Sequence, residues 1–197
     1  MPDALATAVT NTDDGSCVDA YCVRIGKPWT LSAEGYRFIA VLESGILNGK
    51  YKGIPIVDGF FVQVYDDGFG IPTVGLGHKV ISTDKLKLGD TITVERAKEF
   101  LSIDLSPVEA AINREVMVAL HQYEYDALVS ILFNSGIYRR DTDPWTGTRS
   151  EYLANNANKG DYKKMTKIIE AFVAHRVLGR RRTEARLFER GDYVATH

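Results

Sequence analysis

The stretch Tyr65-Asp66-Asp67-Gly68-Phe69-Gly70-Ile71-Pro72-Thr73-Val74-Gly75-Leu76-Gly77-His78 decides how the rest of the chain is read. It reads as a turn between two short strands. Gly68 and Gly70 suit positive φ in the turn. Gly75 and Gly77 are expected to leave one side of the second strand bare, open to another backbone or a ligand. A carboxylate in the turn and a hydroxyl six residues later can then face one cavity. By turn chemistry alone, such a segment is usually just a hairpin. It is not a phosphate-binding loop, because no Gly-Lys-Ser/Thr ending or following helix appears.

Outward from this turn the chain changes character on both sides. Residues 46–77 are rich in glycine, with β-branched and aromatic residues clustered at 54–65, which predicts short strands and turns. Residues 32–43 predict a helix. Ser32 caps it, Glu34 suits its positive end, and Phe38, Ile39 and Leu42 share one face. Glu43 falls on its last turn, before the stop signal Ser44-Gly45. Downstream, Thr93 is expected to cap a helix reaching about Asn113. Others are expected at His121–Asn134, 149–157, from Asp161 to about His175, and over 180–190. Helix, small β region, then several helices predicts an α+β fold with a β lobe beside a helical bundle. No internal repeat is evident.

The 197 residues fit one domain with an extension. We place the extension at 1–30, around the polar run Asn11–Ser16, and the domain at 31–197. A net charge of −2 argues against nucleic acid or an anionic membrane as a partner. The charge is uneven, with Arg176, Arg180, Arg181, Arg182, Arg186 and Arg190 close together. No segment is apolar enough to span a membrane, and the first twelve residues lack the basic and apolar regions of a secretory signal. Action outside the cytoplasm would then need release or delivery by another system. Cys17 and Cys22 are either a local disulfide or two incidental thiols. No metal site is expected.

The order of residues at 65–78 resembles the phage-type lysozymes (endolysins, glycoside hydrolase family 24). Their hairpin reads Tyr-x-Asp-x-x-Gly-x-x-Thr-[Ile/Val]-Gly-x-Gly-His. Tyr65, Asp67, Gly70, Thr73, Val74, Gly75, Gly77 and His78 fill those places. Glu43-Ser44-Gly45 stands where the family has a Glu-Gly pair. His121–Ser130 with Phe133-Asn134-Ser135-Gly136, and Gly179–Phe188, resemble two later family helices. The resemblance spans about residues 32–191.

It implies a lysozyme-like α+β fold. It also implies a muramidase that hydrolyses the β-1,4 bond between N-acetylmuramic acid and N-acetylglucosamine in bacterial peptidoglycan, without metal or organic cofactor. Carried over, Glu43 is the general acid, Asp67 the base or electrostatic partner, and Thr73 the water-holding hydroxyl. Asn134, Arg180 and Arg181 would bind substrate. The chemistry agrees: glycoside hydrolysis needs one group to protonate the leaving oxygen and another to manage the water or the sugar cation. One departure is clear. The family places its Asp much closer to its Glu, so residues 46–61 read as an insertion, and Asp58 and Asp66 compete with Asp67.

Several simpler readings stand beside these. Glu43 alone would be a solvated helix end. His78 is expected to hydrogen-bond within the protein, with Asp84 as one partner. Asn134 is either a helix C-cap or a sugar ligand. Tyr125, Leu128, Ile131 and Leu132 are expected in the core, and Trp145 either there or at an edge. The arginine cluster is either substrate-facing or a solvated helix face. Two rival functions are a lytic transglycosylase, which needs the Glu alone, and a non-catalytic peptidoglycan-binding module. An endolysin and an antibacterial effector with an immunity or inhibitor protein are both compatible settings.

Overall fold

The computed structural model describes residues 24–195; Cys17 and Cys22, and with them the question of their pairing, lie outside that range. The expected α+β order is present. Helix α1 (Ala33–Ser44) leads into five strands: β1 (Gly49–Tyr51), β2 (Ile54–Val57), β3 (Phe60–Asp66), β4 (Pro72–Gly75) and β5 (His78–Lys79). Five helices follow: α2 (Val94–Glu115), α3 (Gln122–Ser135), α4 (Arg149–Ala157), α5 (Tyr162–Ala171) and α6 (Leu178–Arg190). The residues group into two compact units. One is Arg37–Ser106; the other joins the chain up to Tyr36 with the chain from Pro107.

In the 37–106 unit the strands form an antiparallel meander in chain order. The segment 46–61 is a β extension of this sheet. Its two hairpins close on Lys52-Gly53 and Asp58-Gly59, and all four of these residues have positive φ. That is the backbone of a two-residue type I′ turn, which matches the twist of paired strands. Gly59 has a second constraint: a Cβ there would lie 2.5 Å from the Cβ of Ala40. The β2–β3 turn therefore sits directly on α1, one turn before Glu43.

Strand β3 pairs with β4 irregularly. Phe61 faces Gly75 and Tyr65 faces Thr73, so β3 has two more residues than β4 between the pairs. The bulged residues pair elsewhere. Val62 O accepts from Ile92 N at 2.9 Å, and Val64 N donates to Asp90 O at 2.8 Å. Val64, Val74 and Phe100 form a buried core with Val80, Leu86 and Ile92 packed on it. Gly75 and Gly77 occupy the β4–β5 turn with φ of 67° and 92°. The nearest atoms to an added Cβ on Gly75 are 3.9 Å away, and none is within 4 Å at Gly77. These glycines give the turn its left-handed backbone, and the space beside Gly77 is open, as a bare strand side requires.

The other unit is helical. Helix α3 is buried along most of its length, and Tyr125, Leu128, Ile131 and Leu132 are in the core as expected. Packing begins before Leu31, at residues the sequence placed in an extension. Ile25 bridges to Leu120, and Trp29 is buried with its ring 5.7 Å from that of Tyr125. Lys27 Nζ donates to the carbonyls of Asn113 and Val116 at the end of α2, a favourable place for a cation. Trp145 joins a parallel stack with Tyr152 and Phe172, at centroid distances of 4.1 and 5.2 Å.

Helix α5 stops at Ala171, earlier than the expected His175. Phe172 is extended and Val173 left-handed before a short 3₁₀ turn. That break turns the Phe172 carbonyl toward Arg181, whose Nε donates to it at 2.8 Å.

Candidate active site

Glu43 and the hairpin meet around Tyr65. Glu43 is half-buried on the last turn of α1. The next residue fixes how the helix ends: Ser44 Oγ lies 2.8 Å from Ala40 O and 2.6 Å from Ile46 O. Tyr65 is the cross-strand partner of Thr73, so the two side chains share one face of the sheet. Asp67, two residues beyond Tyr65, would continue that face by strand periodicity. Burial first, then the negative charges of Glu43 and Asp67, raise the Tyr65 phenol above its ordinary pKa. That effect requires both carboxylates to lie near this one phenol. Glu43, Tyr65, Asp67 and Thr73 thus belong to one constellation within the 37–106 unit. Tyr65 is the member that sequence reasoning named in the motif without giving it a role.

The hairpin tip is held by its own carboxylates. Four consecutive backbone N–H groups alternate between two oxygens. Gly68 and Gly70 donate to Asp66 Oδ1 at 2.7 and 3.0 Å, and Phe69 and Ile71 donate to Asp67 Oδ1 at 2.8 and 3.3 Å. Asp66 is exposed and Asp67 half-buried. Among the described residues no hydrogen bond reaches the second oxygen of Asp67, which leaves it as an acceptor. Thr73 is buried, and its hydroxyl lies 3.1 Å from Ile71 O. Donation there leaves the hydroxyl oxygen as an acceptor. Asp58, another competitor, is exposed in the β2–β3 turn.

His78 is a scaffold residue. Its ring stacks on Phe100 at 4.1 Å and 9°. Nε2 lies 3.3 Å from Asp84, as expected, and Nδ1 lies 3.0 Å from Asp104 on α2.

Asn134, Arg180 and Arg181 belong to the helical unit and form their own cluster there. Arg181 has no exposed surface. Its guanidinium pairs with Glu184, donates to Phe172 O, and gives Nη2 to Asn134 Oδ1 at 2.9 Å. Burial draws its pKa below the ordinary value, against the upward pull of Glu184. This corrects the expectation that Arg181 contacts substrate: a guanidinium without exposed surface cannot meet a polymer. Arg180 Nε donates to Glu184 Oε1 at 2.9 Å, and Nη2 lies 3.4 Å from Ser130 O. Ser130 Oγ also donates to Glu184, at 2.8 Å. Glu184 is fully buried and was missed, although its spacing of three and four from the two arginines was a readable signal. Asn134 is exposed and is not the helix cap, which is Gly136.

Among the described residues no cluster of three or more His, Cys, Asp or Glu side chains is placed to hold a metal ion. No helix there is long and apolar enough to cross a membrane.

Comparison with known proteins bears on the family and the fold. The family model for phage lysozyme matches residues 56–187. This chain belongs to the phage lysozyme family. The endolysin of Salmonella phage P22 is 44% identical over 80 residues, covering 40% of this chain and 55% of that protein. The matched part is thus about half of the P22 endolysin. The endolysin of Acyrthosiphon pisum secondary endosymbiont phage 1 is 34% identical over 114 residues, covering 56% of this chain and 70% of the relative. Among solved structures, an endolysin from Escherichia coli O157:H7 phage FAHEc1 superposes with a TM-score of 0.64 at 25% identity. That match covers 88% of this chain and all of the other. The lysozyme-like fold expected from the sequence is therefore the fold observed.

Proposed function

We propose that this protein cleaves peptidoglycan as a muramidase, hydrolysing the β-1,4 bond between N-acetylmuramic acid and N-acetylglucosamine. The observation that carries this reading is geometric: Thr73 pairs opposite Tyr65, and Asp67 next to them keeps one oxygen outside its turn's hydrogen bonds, with Glu43 near enough to act on the same phenol. Two carboxylates around one point are the groups that hydrolysis of a glycosidic bond requires, and the Thr73 hydroxyl beside them can help to hold the water.

Glu43 protonates the leaving oxygen. Asp67 orients the attacking water through the oxygen that the backbone does not occupy, and its other oxygen is fixed by the N–H groups of Phe69 and Ile71. The Thr73 oxygen accepts from the same water. A water held against the sugar face opposite the acid gives inversion at the anomeric carbon. Asn134 contributes to holding the polymer. Both curated relatives are named as phage endolysins, which favours wall lysis during phage release over delivery as an effector with an immunity protein.

Clearing of a suspension of purified cell walls tests the assignment. Glu43→Gln should lower turnover by roughly 10²–10⁴-fold, the contribution of a positioned general acid, with melting unchanged. Equal clearing by the variant and the parent would refute it. Product analysis separates the rivals. A reducing-end muramic acid marks hydrolysis, a 1,6-anhydro ring marks a lytic transglycosylase, and binding without release of fragments marks a non-catalytic module.

A further inference from the structure

Arg181 fixes which way round the Asn134 amide stands. An amide's oxygen and nitrogen are alike in shape, and their assignment rests on the hydrogen-bond network. Here the network leaves one answer. A guanidinium N–H can only donate, so the Asn134 atom 2.9 Å from Arg181 Nη2 must be the oxygen. Arg181 is itself fully buried and fixed by Glu184 and the Phe172 carbonyl. Glu184 in turn is held by Ser130 and Arg180. The mount is therefore held by partners other than the amide.

Asn134 is exposed, and no hydrogen bond among the described residues engages its Nδ2. The group it offers outward is an NH₂, two donors and no acceptor.

We propose that Arg181 is a positioning residue that locks Asn134 as a hydrogen-bond donor, so that the helical unit selects an acceptor-only carbonyl oxygen on the polymer. This rests on the muramidase reading above. Peptidoglycan offers such oxygens in two places, the acetamido groups of its sugars and the carbonyl groups of its stem peptides. A sugar hydroxyl can serve as donor or acceptor and gains nothing from the lock. Fixing the polarity in advance removes the reorganisation that a freely turning amide would need on binding.

The decisive variant is Asn134→Asp. A carboxylate keeps an oxygen against Arg181 and so keeps the mount, but it replaces the outward donors with an acceptor. With purified sacculi as probe, Asn134→Asp should raise KM about 5- to 10-fold, the worth of a ligand hydrogen bond. Its kcat should stay within about 2-fold and its melting temperature should not fall. Asn134→Ala should raise KM by a similar factor. The same sacculi stripped of stem peptides locate the acceptor: a retained difference assigns it to the acetamido group, and a lost difference assigns it to the stem.

Arg181→Lys tests the positioning role. It keeps the charge opposite Glu184 but loses the planar fork. Its KM effect should appear in the parent background and vanish in Asn134→Asp, because the residue acts through the amide. An Asn134→Asp enzyme with parental KM, or an Arg181→Lys effect equal in both backgrounds, would overturn the proposal and leave the muramidase reading intact. A parent protein that neither cleaves nor sediments with sacculi would overturn both.

Discussion

The carboxylates of the two units do different work. In the hairpin, Asp66 and Asp67 stand in or near water and bind backbone N–H groups of their own turn. In the helical unit, Asp126 and Glu184 have no exposed surface and bind side chains from distant parts of the chain. A carboxylate near water is cheap to hold charged and remains available to a ligand. A buried one is expensive to hold charged and is kept only where several donors converge. The comparison predicts that substitutions in the hairpin should alter turnover with little effect on stability, and that substitutions in the helical cluster should do the reverse.

Glu184 gives the sharpest contrast in stability. Glu184→Ala leaves the fully buried Arg181 guanidinium without its anion and also removes the acceptor of Arg180 Nε and Ser130 Oγ. Breaking a buried pair from one side costs about 3–5 kcal/mol. Chemical denaturation should show a loss of that size. A loss below ~1 kcal/mol would mean that the cluster is far wetter than its burial indicates.

Asp126 makes the same point through pH. It ties together three parts of the helical unit: Ser32 before α1, Gln122 on α3 and Tyr193 after α6. Burial raises its carboxyl to about 6, against hydrogen bonds from Ser32, Tyr193 and Gln122 that lower it. An acid with a raised folded-state pKa binds its proton more tightly folded than unfolded. Its contribution to stability is therefore greatest below about pH 4, falls as pH rises toward 6, and is level above that. A shift from the ordinary carboxylate value to about 6 corresponds to roughly 3 kcal/mol. The expected result is that the unfolding free energy of the parent, minus that of Asp126→Asn, declines by about this amount from about pH 3 to about pH 7. A difference that rises over that interval would show hydrogen bonding, rather than burial, to be dominant.

Gly59 comes next, on the opposite side of the comparison, because it is a packing residue of the β-rich unit. Gly59→Ala places a methyl against Ala40 on a backbone at φ 84°. Strain and displacement together should cost about 1–3 kcal/mol. Because Ala40 lies on the helix whose last turn carries Glu43, wall-clearing turnover should fall by more than the unfolded fraction accounts for. A fall matched by unfolding alone would mean that α1 does not shift.

Much of this was legible in the sequence, for identifiable reasons. The helices beginning near 33, 94 and 162 follow from their pattern with Ser32, Thr93 and Asp161 at their starts, and these caps are in place. The strand-rich 46–77 region follows from its glycines and β-branched residues. What stayed hidden depends on contacts between residues far apart in the chain. No local signal reveals that Trp29 packs on Tyr125, 96 positions away. The role of Arg181 was misread because sequence gives residue type without exposure. A buried arginine and a substrate-facing one are spelled alike.

The smallest expected effect on stability is also the most direct test of the comparison. Asp66 and Asp67 are neighbours with the same local bonding, each accepting two backbone N–H groups through Oδ1. Asparagine keeps a side-chain oxygen for that purpose, so Asp66→Asn and Asp67→Asn should each cost less than about 1 kcal/mol. If the hairpin's carboxylates served only to shape the turn, the two variants would also be equally active. They differ in where they stand: Asp66 is exposed and pairs opposite Pro72, whereas Asp67 is half-buried and its charge is felt at Tyr65. Only Asp67→Asn should therefore lose turnover, by roughly 10²-fold or more if its charge orients the water. Equal turnover in both variants would return Asp67 to the role of a turn residue and place the partner of Glu43 elsewhere.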